Sequence, residues 1–159
     1  MALARGVGEI AVQSRSLMNE YRRLPDETSR IVVDGWLYTA DMGYYDDKAF
    51  LYIVDRKKHV INTGGQNVYS REVESVLYRH PSVFECAVIG IPDDELVERV
   101  HALIVSKQGQ NCTAEVIIAF CRERLSAYKT PKSIEFVDAL PKNRRGEILK
   151  TKLKDRYRK

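Results

Sequence analysis

The segment 55–74 restricts the folding of this chain more than any other stretch of its sequence. A charged run, Asp55-Arg56-Lys57-Lys58, is followed by the apolar pair Val60-Ile61, by Gly64-Gly65 and by the start of an amphipathic helix. Glycine adopts backbone conformations closed to other residues and lets a ligand approach the main chain. Charges beside a glycine pair favour a site for a phosphorylated ligand next to a tight turn. The alternative is a strand that leads into a helix with a solvated charged run.

Apolar periodicity predicts an α+β domain from about Arg56 to the end of the chain. Strands are predicted at 8–13, 36–38, 50–54, 60–62, 84–91, 100–105 and 135–137. Ser70 and Thr113 are predicted as the N-caps of two helices, because a hydroxyl oxygen can accept a free amide at a helix start. The core-facing side chains are predicted to be Val73, Val76 and Leu77 in the first helix and Val116, Ile117, Phe120 and Leu125 in the second. A terminal helix is expected over 148–158.

The composition is that of an ordinary globular protein, with 44% hydrophobic and 30% charged residues. No apolar run is long enough to span a bilayer, and residues 1–6 have no apolar core of signal-peptide length, so neither a membrane segment nor export is expected. The three cysteines, Cys86, Cys112 and Cys121, lack the spacing of metal ligands, and no metal site is predicted. Free thiols in a reducing compartment, the cytoplasm, are the simplest account of them.

The net charge of +4 is concentrated near the end of the sequence. Between Lys142 and Lys159, basic residues far outnumber the two acidic ones, Glu147 and Asp155. Such a segment could contact nucleic acid or an anionic membrane surface, form the solvated face of a last helix, or serve anionic ligands. Because aromatic residues are not interleaved with these charges as they are in base-stacking proteins, nucleic-acid binding is not expected.

Five short motifs follow one another from Asp34 to Gly146. They are Asp34-Gly35-Trp36-Leu37-Tyr38-Thr39-Ala40-Asp41, the segment 55–74 with its Gly64-Gly65-Gln66-Asn67-Val68-Tyr69, His80-Pro81-Ser82-Val83 with Gly90-Ile91-Pro92-Asp93, Tyr128-Lys129-Thr130-Pro131-Lys132, and Leu140-Pro141-Lys142-Asn143-Arg144-Arg145-Gly146. In wording and order these motifs closely resemble the adenylate-forming superfamily, which contains acyl-CoA synthetases, the adenylation domains of peptide synthetases and luciferases. The segment 55–74 is most similar to the CoA ligases. The resemblance covers the chain from Gly8 onward.

The resemblance implies that the chain divides at a hinge. Residues 1–54 would be the end of a large N-terminal AMP-binding domain, present as a β-rich remnant, and residues 55–58 would be the hinge. Residues 59–159 would be the C-terminal domain, a small mixed sheet with two to three helices that acts as a lid. The chain is accordingly expected to be a fragment whose protein partner is its own N-terminal domain.

The activity that the resemblance implies is that of an ATP-dependent acyl-CoA synthetase. The carboxylate of a fatty or aromatic acid attacks the α-phosphate of ATP to give an acyl-adenylate and pyrophosphate, and the thiol of CoA then displaces AMP. The substrates would be the acid, CoA, and ATP with Mg²⁺ held mainly by the N-terminal domain. The C-terminal domain would rotate about the hinge between the steps, a movement that can assemble a site and exclude water.

The resemblance also implies roles for residues around the hinge. Asp41 corresponds to an aspartate that binds the ribose hydroxyls of ATP, and Arg56 to an arginine that contacts the ribose or the phosphates. A turn aspartate, and an ion pair of Arg56 with Asp55 or Asp41, are the alternatives. Ala40 stands where the family usually has glycine, a departure that matters if the position needs a positive φ. Asp55 and Lys58 fall at the hinge itself.

The CoA site is implied at the glycine pair. Gly64, Gly65 and Gln66 correspond to the face that forms the thioester, where the pantetheine arm of CoA enters beside the backbone. A tight turn between a strand and a helix is an alternative that the same glycines would serve. Four cations are candidates for the phosphates of CoA, or are plain surface charges: Lys129, Lys132, Arg144 and Arg145.

Glu147 is the main departure from the family pattern. The motif Leu-Pro-x-x-x-x-Gly-Lys has a catalytic lysine directly after its glycine, which bridges the acid and the α-phosphate during adenylation, and this chain has Glu147 there. An anion where negative charge accumulates is expected to impair adenylation severely, whereas thioester formation need not suffer. Lys150 could replace the lysine only if the loop were rearranged. The alternative function is therefore an adenylation-deficient module that binds CoA or acyl-adenylate, or regulates a partner.

Overall fold

A computed structural model describes residues 6–110 and 112–157. The chain separates into two compact units between Lys58 and His59. A short 3-10 helix, Lys57–His59, spans this point.

The first unit is an antiparallel sheet with one short helix. Its elements are β1 (Gly8–Val12), α1 (Pro25–Ile31), β2 (Val32–Val33), β3 (Trp36–Tyr45) and β4 (Leu51–Arg56). The long strand β3 is central, because it pairs with each of the other three. Asp46 closes the turn between β3 and β4, where one carboxylate oxygen accepts the N–H groups of Lys48 and Phe50, both at 2.9 Å.

The second unit is a mixed sheet with helices on both faces. Its strands are β5 (Ile61–Thr63), β6 (Gln66–Val68), β7 (Val83–Asp93), β8 (Val97–Ser106) and β9 (Ser133–Phe136), and its helices are α2 (Ser70–Leu77), α3 (Ala114–Arg122) and α4 (Lys150–Asp155). The strand order is β6-β5-β8-β7. The remaining strand, β9, lies outside this order and pairs with β8 in parallel. The predicted α+β class, with a small mixed sheet and two to three helices, is confirmed.

Alternation along β7 and β8 separates two cores, because successive side chains of a strand point to opposite faces. One core lies under α2 and α3 and includes Val73, Val76, Leu77, Val88, Ile104, Ile117 and Cys121. The other lies under α4 and includes Ala87, Ile89, Leu103, Leu140 and Leu153. The predicted face of the first helix is confirmed. In the second helix the prediction is wrong for Val116, which is 52% exposed, because Ile117 and Cys121 take the buried positions.

The helix termini differ from the predictions in two places. Ser70 is the first residue of α2 rather than its N-cap, which is Tyr69. The Ser70 hydroxyl is buried and accepts a hydrogen bond from Lys150 Nζ at 2.7 Å, so a tertiary contact replaces the expected cap. Thr113 does occupy the N-cap position of α3. The terminal helix is shorter than predicted, because Leu149 is its N-cap and α4 ends at Asp155.

A buried histidine ties the end of the chain to the sheet. The ring of His101, on β8, lies with Nδ1 2.7 Å from Ser133 Oγ and Nε2 3.1 Å from Tyr157 Oη. The Tyr157 hydroxyl donates in turn to the carboxylate of Glu135. Burial lowers the pKa of His101, although Glu135 opposes that effect. Burial also lowers the pKa of His80, with a further contribution from Arg124.

We expect the free energy of unfolding to decrease as the pH is lowered from about 7 to about 5. The unfolded chain protonates His80 and His101 near their ordinary pKa of 6.5, whereas the folded chain protonates them only at a lower pH, because burial lowers both pKa values. Stability is therefore complete above pH 6.5 and is lost as the pH falls towards the folded pKa values. Urea unfolding at several pH values measures the slope. His101→Gln should reduce the dependence of stability on pH. An equally steep slope in that variant would contradict a contribution of His101 to it.

Candidate functional site

Asp41 and Arg56 lie side by side on the β3–β4 ladder. The two residues are register partners, and Arg56 Nε is 2.9 Å from Asp41 Oδ1. Their side chains are 28% and 51% exposed respectively. The expected alternative, an ion pair between them, is thus what the structure contains. A carboxylate accepts hydrogen bonds from a diol, and a guanidinium binds oxygen atoms with several donors, so the pair also suits a sugar phosphate.

Glu9 is a third charged residue of this site, and no motif or spacing in the sequence points to it. Its Oε1 accepts the Ala40 N–H at 3.2 Å, and its Oε2 is 2.6 Å from Lys57 Nζ. Lys57 is ion-paired although its side chain is 63% exposed. Only the pairing of β1 with β3, which sets Glu9 opposite Met42, brings this carboxylate to the site.

Ala40 has a left-handed backbone conformation, with φ at 59°. A side chain in this region costs about 1–2 kcal/mol, which glycine does not incur. The alanine at this position therefore places strain directly before Asp41.

Ala40→Gly is expected to stabilise the first unit by about 0.5–1.5 kcal/mol, because the relief of strain exceeds the entropy that glycine gains in the unfolded chain. The fluorescence of Trp36, the single tryptophan, reports unfolding of this unit in urea. Ala11→Gly, in an extended strand, is the control and should destabilise. A lower midpoint for Ala40→Gly would contradict the expectation.

The two predicted hinge residues differ in environment. Asp55 is buried, with 1% exposure, and its Oδ1 accepts the Arg56 N–H at 2.8 Å. Lys58 is exposed within the 3-10 helix at the boundary of the two units. Short 3-10 segments are common connectors. The hinge role of both residues stays a prediction.

Gly64 and Gly65 form the two-residue turn of the β5–β6 hairpin. Thr63 pairs with Gln66 across the turn, and the glycines have φ values of 58° and 80°. A two-residue turn with both φ values positive matches the twist of the flanking strands, which is why glycine is preferred there. The turn therefore joins two strands, rather than a strand and a helix as the alternative supposed.

The backbone at this turn is accessible. A Cβ added to Gly65 would meet nothing within 4 Å, and one on Gly64 would lie 3.4 Å from Leu96 Cδ2. Gln66 is exposed. A slender ligand could therefore approach the main chain from the Gly65 side.

The candidate phosphate ligands are not equivalent. Lys129 Nζ lies 2.7 and 2.8 Å from the two carboxylate oxygens of Glu72, so its charge is already neutralised. Lys132, Arg144 and Arg145 are exposed. An arginine or lysine that is exposed and not held by a carboxylate is the better candidate for an anionic ligand.

Four of the described basic residues near the end of the chain have acidic partners. Lys142 pairs with Glu85, Lys150 with Glu74, Lys154 with Glu98, and Arg156 with Glu135. These pairs join the terminal segment to α2 and to the sheet. No helix among the described residues is long and apolar enough to cross a membrane. The same residues contain no cluster of three or more His, Cys, Asp or Glu side chains arranged for a metal ion.

Glu147 lies at the end of a loop that Asn143 organises. Asn143 Oδ1 accepts the N–H groups of Arg145 and Glu147, at 2.9 and 3.0 Å, and its Nδ2 donates to the Glu147 carboxylate. Gly146 has a φ of 82°. The strand-like pairing of Lys142 with Ile148 closes the loop. Glu147 is exposed, and its carboxylate rests against Asn143.

Lys150 is buried away from this loop. Its Nζ is 2.6 Å from Glu74 Oε1 and 2.7 Å from Ser70 Oγ. The same Glu74 oxygen accepts the Val88 N–H at 2.7 Å. Since its ammonium joins α4 to α2, Lys150 is not placed to act where Glu147 stands.

Residues 72–147 match the AMP-binding enzyme C-terminal domain family. A long-chain-fatty-acid–CoA ligase from Bacillus subtilis (strain 168) is 47% identical over 146 residues, which are 92% of this chain and 26% of the ligase. A fatty acid–[acyl-carrier-protein] ligase, ScoC, from Streptomyces coeruleorubidus is 41% identical over 151 residues, 95% of this chain and 29% of that protein. The chain thus spans less than a third of the length of these curated relatives.

Solved structures agree with the sequence comparison. ATP-bound MatB from Rhodopseudomonas palustris has a TM-score of 0.89 and 34% identity, covering 96% of this chain and 31% of MatB. The o-succinylbenzoate CoA synthetase MenE from Bacillus subtilis, in complex with the acyl-adenylate intermediate, has a TM-score of 0.87 and 37% identity, covering 95% of this chain and 31% of MenE. The predicted resemblance to adenylate-forming enzymes is confirmed.

Proposed function

Because this chain belongs, through residues 72–147, to the family of AMP-binding enzyme C-terminal domains, we propose that it is the C-terminal part of an ATP-dependent acyl-CoA synthetase. The reaction joins a carboxylic acid to CoA, with conversion of ATP to AMP and pyrophosphate. The observation that carries the proposal is the pairing of Asp41 with Arg56 at 2.9 Å. It sets an acceptor for a diol beside a cation for a phosphate on one strand pair.

The residues would act as follows. Asp41 accepts the ribose hydroxyls of ATP, and Arg56 contacts the ribose or phosphate oxygens. The accessible Gly64–Gly65 turn, with Gln66, borders the path of the pantetheine arm of CoA. Asp55 and Lys58 lie where the chain bends as the C-terminal domain rotates between adenylation and thioester formation.

The acid is proposed to be a fatty or aromatic acid. Relatives with long-chain-fatty-acid–CoA ligase activity in their names support the first class. ATP with its Mg²⁺ would be held mainly by the large N-terminal domain, together with the acyl pocket. The isolated 159-residue chain is therefore expected to be inactive.

Glu147 favours a second candidate function, an adenylation-deficient module that binds CoA or acyl-adenylate, or regulates a partner. The carboxylate is exposed at the loop end, and Lys150, which could have supplied a cation, is held by Glu74. An anion opposes the accumulation of negative charge during adenylation.

Two assays on the full-length protein separate the two candidates. Acid-dependent release of pyrophosphate from ATP reports the first half-reaction, and acyl-CoA formation from preformed acyl-adenylate and CoA reports the second. A synthetase gives both products, whereas an adenylation-deficient protein gives at most the second. The absence of both, with a panel of fatty and aromatic acids and an intact fold, would overturn the ligase proposal.

A further inference from the structure

The Gly64–Gly65 turn is held from one side by the start of β8. The Leu96 carbonyl accepts the Gly64 N–H at 2.8 Å, and Leu96 Cδ2 lies 3.4 Å from where a Gly64 Cβ would be. The next residue, Val97, is the register partner of Thr63. Leu96, directly before β8, thus contacts the first residue of the turn, and Val97, the first residue of β8, pairs with the last residue of β5.

Glu98 extends this contact through its side chain. Its Oε2 accepts the N–H of Asn62 at 2.9 Å. The register between β5 and β8 consists of the Thr63–Val97 pair, so the Asn62 N–H lies where the ladder of backbone hydrogen bonds has stopped. The carboxylate satisfies this N–H in place of a backbone carbonyl, which a strand amide otherwise needs.

The Glu98 carboxylate is itself held on its other side. Lys154 Nζ, on α4, is 3.3 Å from Glu98 Oε1. Gly90 on β7 leaves room for the carboxylate, since a Cβ there would lie 2.6–2.7 Å from it. The side chains of Glu98 and Lys154 are only 26% and 18% exposed. A carboxylate that is bonded by Asn62 and Lys154 and packed against Gly90 can define the position of the strand that it contacts.

The backbone at Val97 shows that these contacts are strong enough to maintain strain. Val97 has a φ of 70°, a conformation that a β-branched residue rarely adopts. Its side chain does not compensate by burial, because the residue is 67% exposed. Strained backbone persists where surrounding contacts determine it, and here those contacts are made by Leu96 before the strained residue and by Glu98 after it.

We propose that Glu98 is a positioning residue for the thioester-forming step, acting through the Gly64–Gly65 turn. The inference rests on the proposed function, in which this turn borders the path of CoA. Glu98 does not touch the ligand. It fixes β5 at Asn62, two residues before Gly64, and so keeps the turn open for the pantetheine arm.

The test uses the full-length protein supplied with preformed acyl-adenylate, with the KM for CoA and kcat measured separately. Glu98→Ala leaves the Asn62 N–H without a protein acceptor and should raise the KM roughly five- to tenfold with little change in kcat. Glu98→Gln retains a carbonyl oxygen for this N–H, and its KM should stay within about twofold of the parent. Glu135→Ala is the control, because it removes the 3.0 Å ion pair of a sheet carboxylate with Arg156 at the end of α4, together with the acceptor of the Tyr157 hydroxyl, without touching β5.

Amide hydrogen exchange over residues 61–68 gives a readout that needs no activity. Exchange of Asn62 and Gly64 should be faster in Glu98→Ala than in the parent, Glu98→Gln and Glu135→Ala. If the parent forms acyl-CoA, an unchanged KM for CoA in Glu98→Ala would overturn the inference. An equal rise of this KM in Glu135→Ala would also overturn it. A parent that forms no acyl-CoA at all would instead overturn the proposed function, and with it the role of the turn in thiol transfer.

Discussion

Replacing Glu147 by lysine in the full-length protein is expected to raise the rate of acid-dependent pyrophosphate release by about 10²- to 10³-fold. The residue follows Gly146 at the end of an exposed loop, and we propose that it occupies the position of the lysine that bridges the acid and the α-phosphate in adenylate-forming enzymes. Loss of one preorganised group that stabilises developing charge typically costs about 3–4 kcal/mol. Lysine would restore an attraction where the native glutamate introduces a repulsion.

Glu147→Gln separates these two contributions. It removes the negative charge and keeps an oxygen for the Asn143 amide, which now donates to the carboxylate. Its rate should fall between those of the parent and Glu147→Lys. Equal and substantial rates for the parent and the lysine variant would show that another residue performs adenylation. Equal inactivity of both, with an intact fold, would favour the binding or regulatory function.

Replacing Lys150 by alanine is expected to lower the free energy of unfolding of the second unit by about 3–5 kcal/mol. The side chains of Lys150 and Glu74 are only 9% and 12% exposed, and their charged atoms are 2.6 Å apart. Removing one partner of a buried ion pair leaves the other charge desolvated without compensation, which is the costly case. The loss should appear in urea unfolding followed by far-ultraviolet circular dichroism, since α2, α3 and α4 all belong to this unit.

Lys152→Ala is the matched control, because Lys152 lies on the same helix and is exposed. Its effect should stay within about 0.5 kcal/mol. The double variant Lys150→Met/Glu74→Gln removes both charges and keeps an amide oxygen for the Val88 N–H, so it should recover much of the loss. Comparable urea midpoints for Lys150→Ala and Lys152→Ala would contradict the stabilising role of the buried Lys150–Glu74 ion pair. Trp36 fluorescence, which reports the first unit, should change little in either variant.

Local patterns were sufficient where one residue type satisfies one steric or hydrophobic requirement. Gly64 and Gly65 stand where two positive φ values are needed, and Val73, Val76 and Leu77 repeat at the spacing of one helical face and are all buried. The strands β7 and β8 followed from runs of apolar residues in the same way. Composition and periodicity act over a few residues, so the sequence expresses them directly.

Local patterns failed where a polar group had a choice of partners. Ser70 looked like a helix cap, yet its hydroxyl is used by Lys150, eighty residues away along the chain. Lys129 looked free for a phosphate, yet it is bound by Glu72. In α3, Cys121 rather than Val116 faces the hydrophobic core. The elements against which a helix packs determine its rotation about its own axis, and the local sequence pattern does not contain them.

The motifs in the sequence were enough to identify the family and the α+β class, since both depend on residue types at fixed spacings. The pairing of Asp41 with Arg56 depends on the register of β3 and β4. The burial of Lys150 depends on the docking of α4 against α2. The hydrogen bond from the Asn62 N–H to Glu98 depends on where the pairing of β5 with β8 ends. A charged side chain can often form any of several ion pairs of similar energy. Only the packed backbone decides which of these pairs forms.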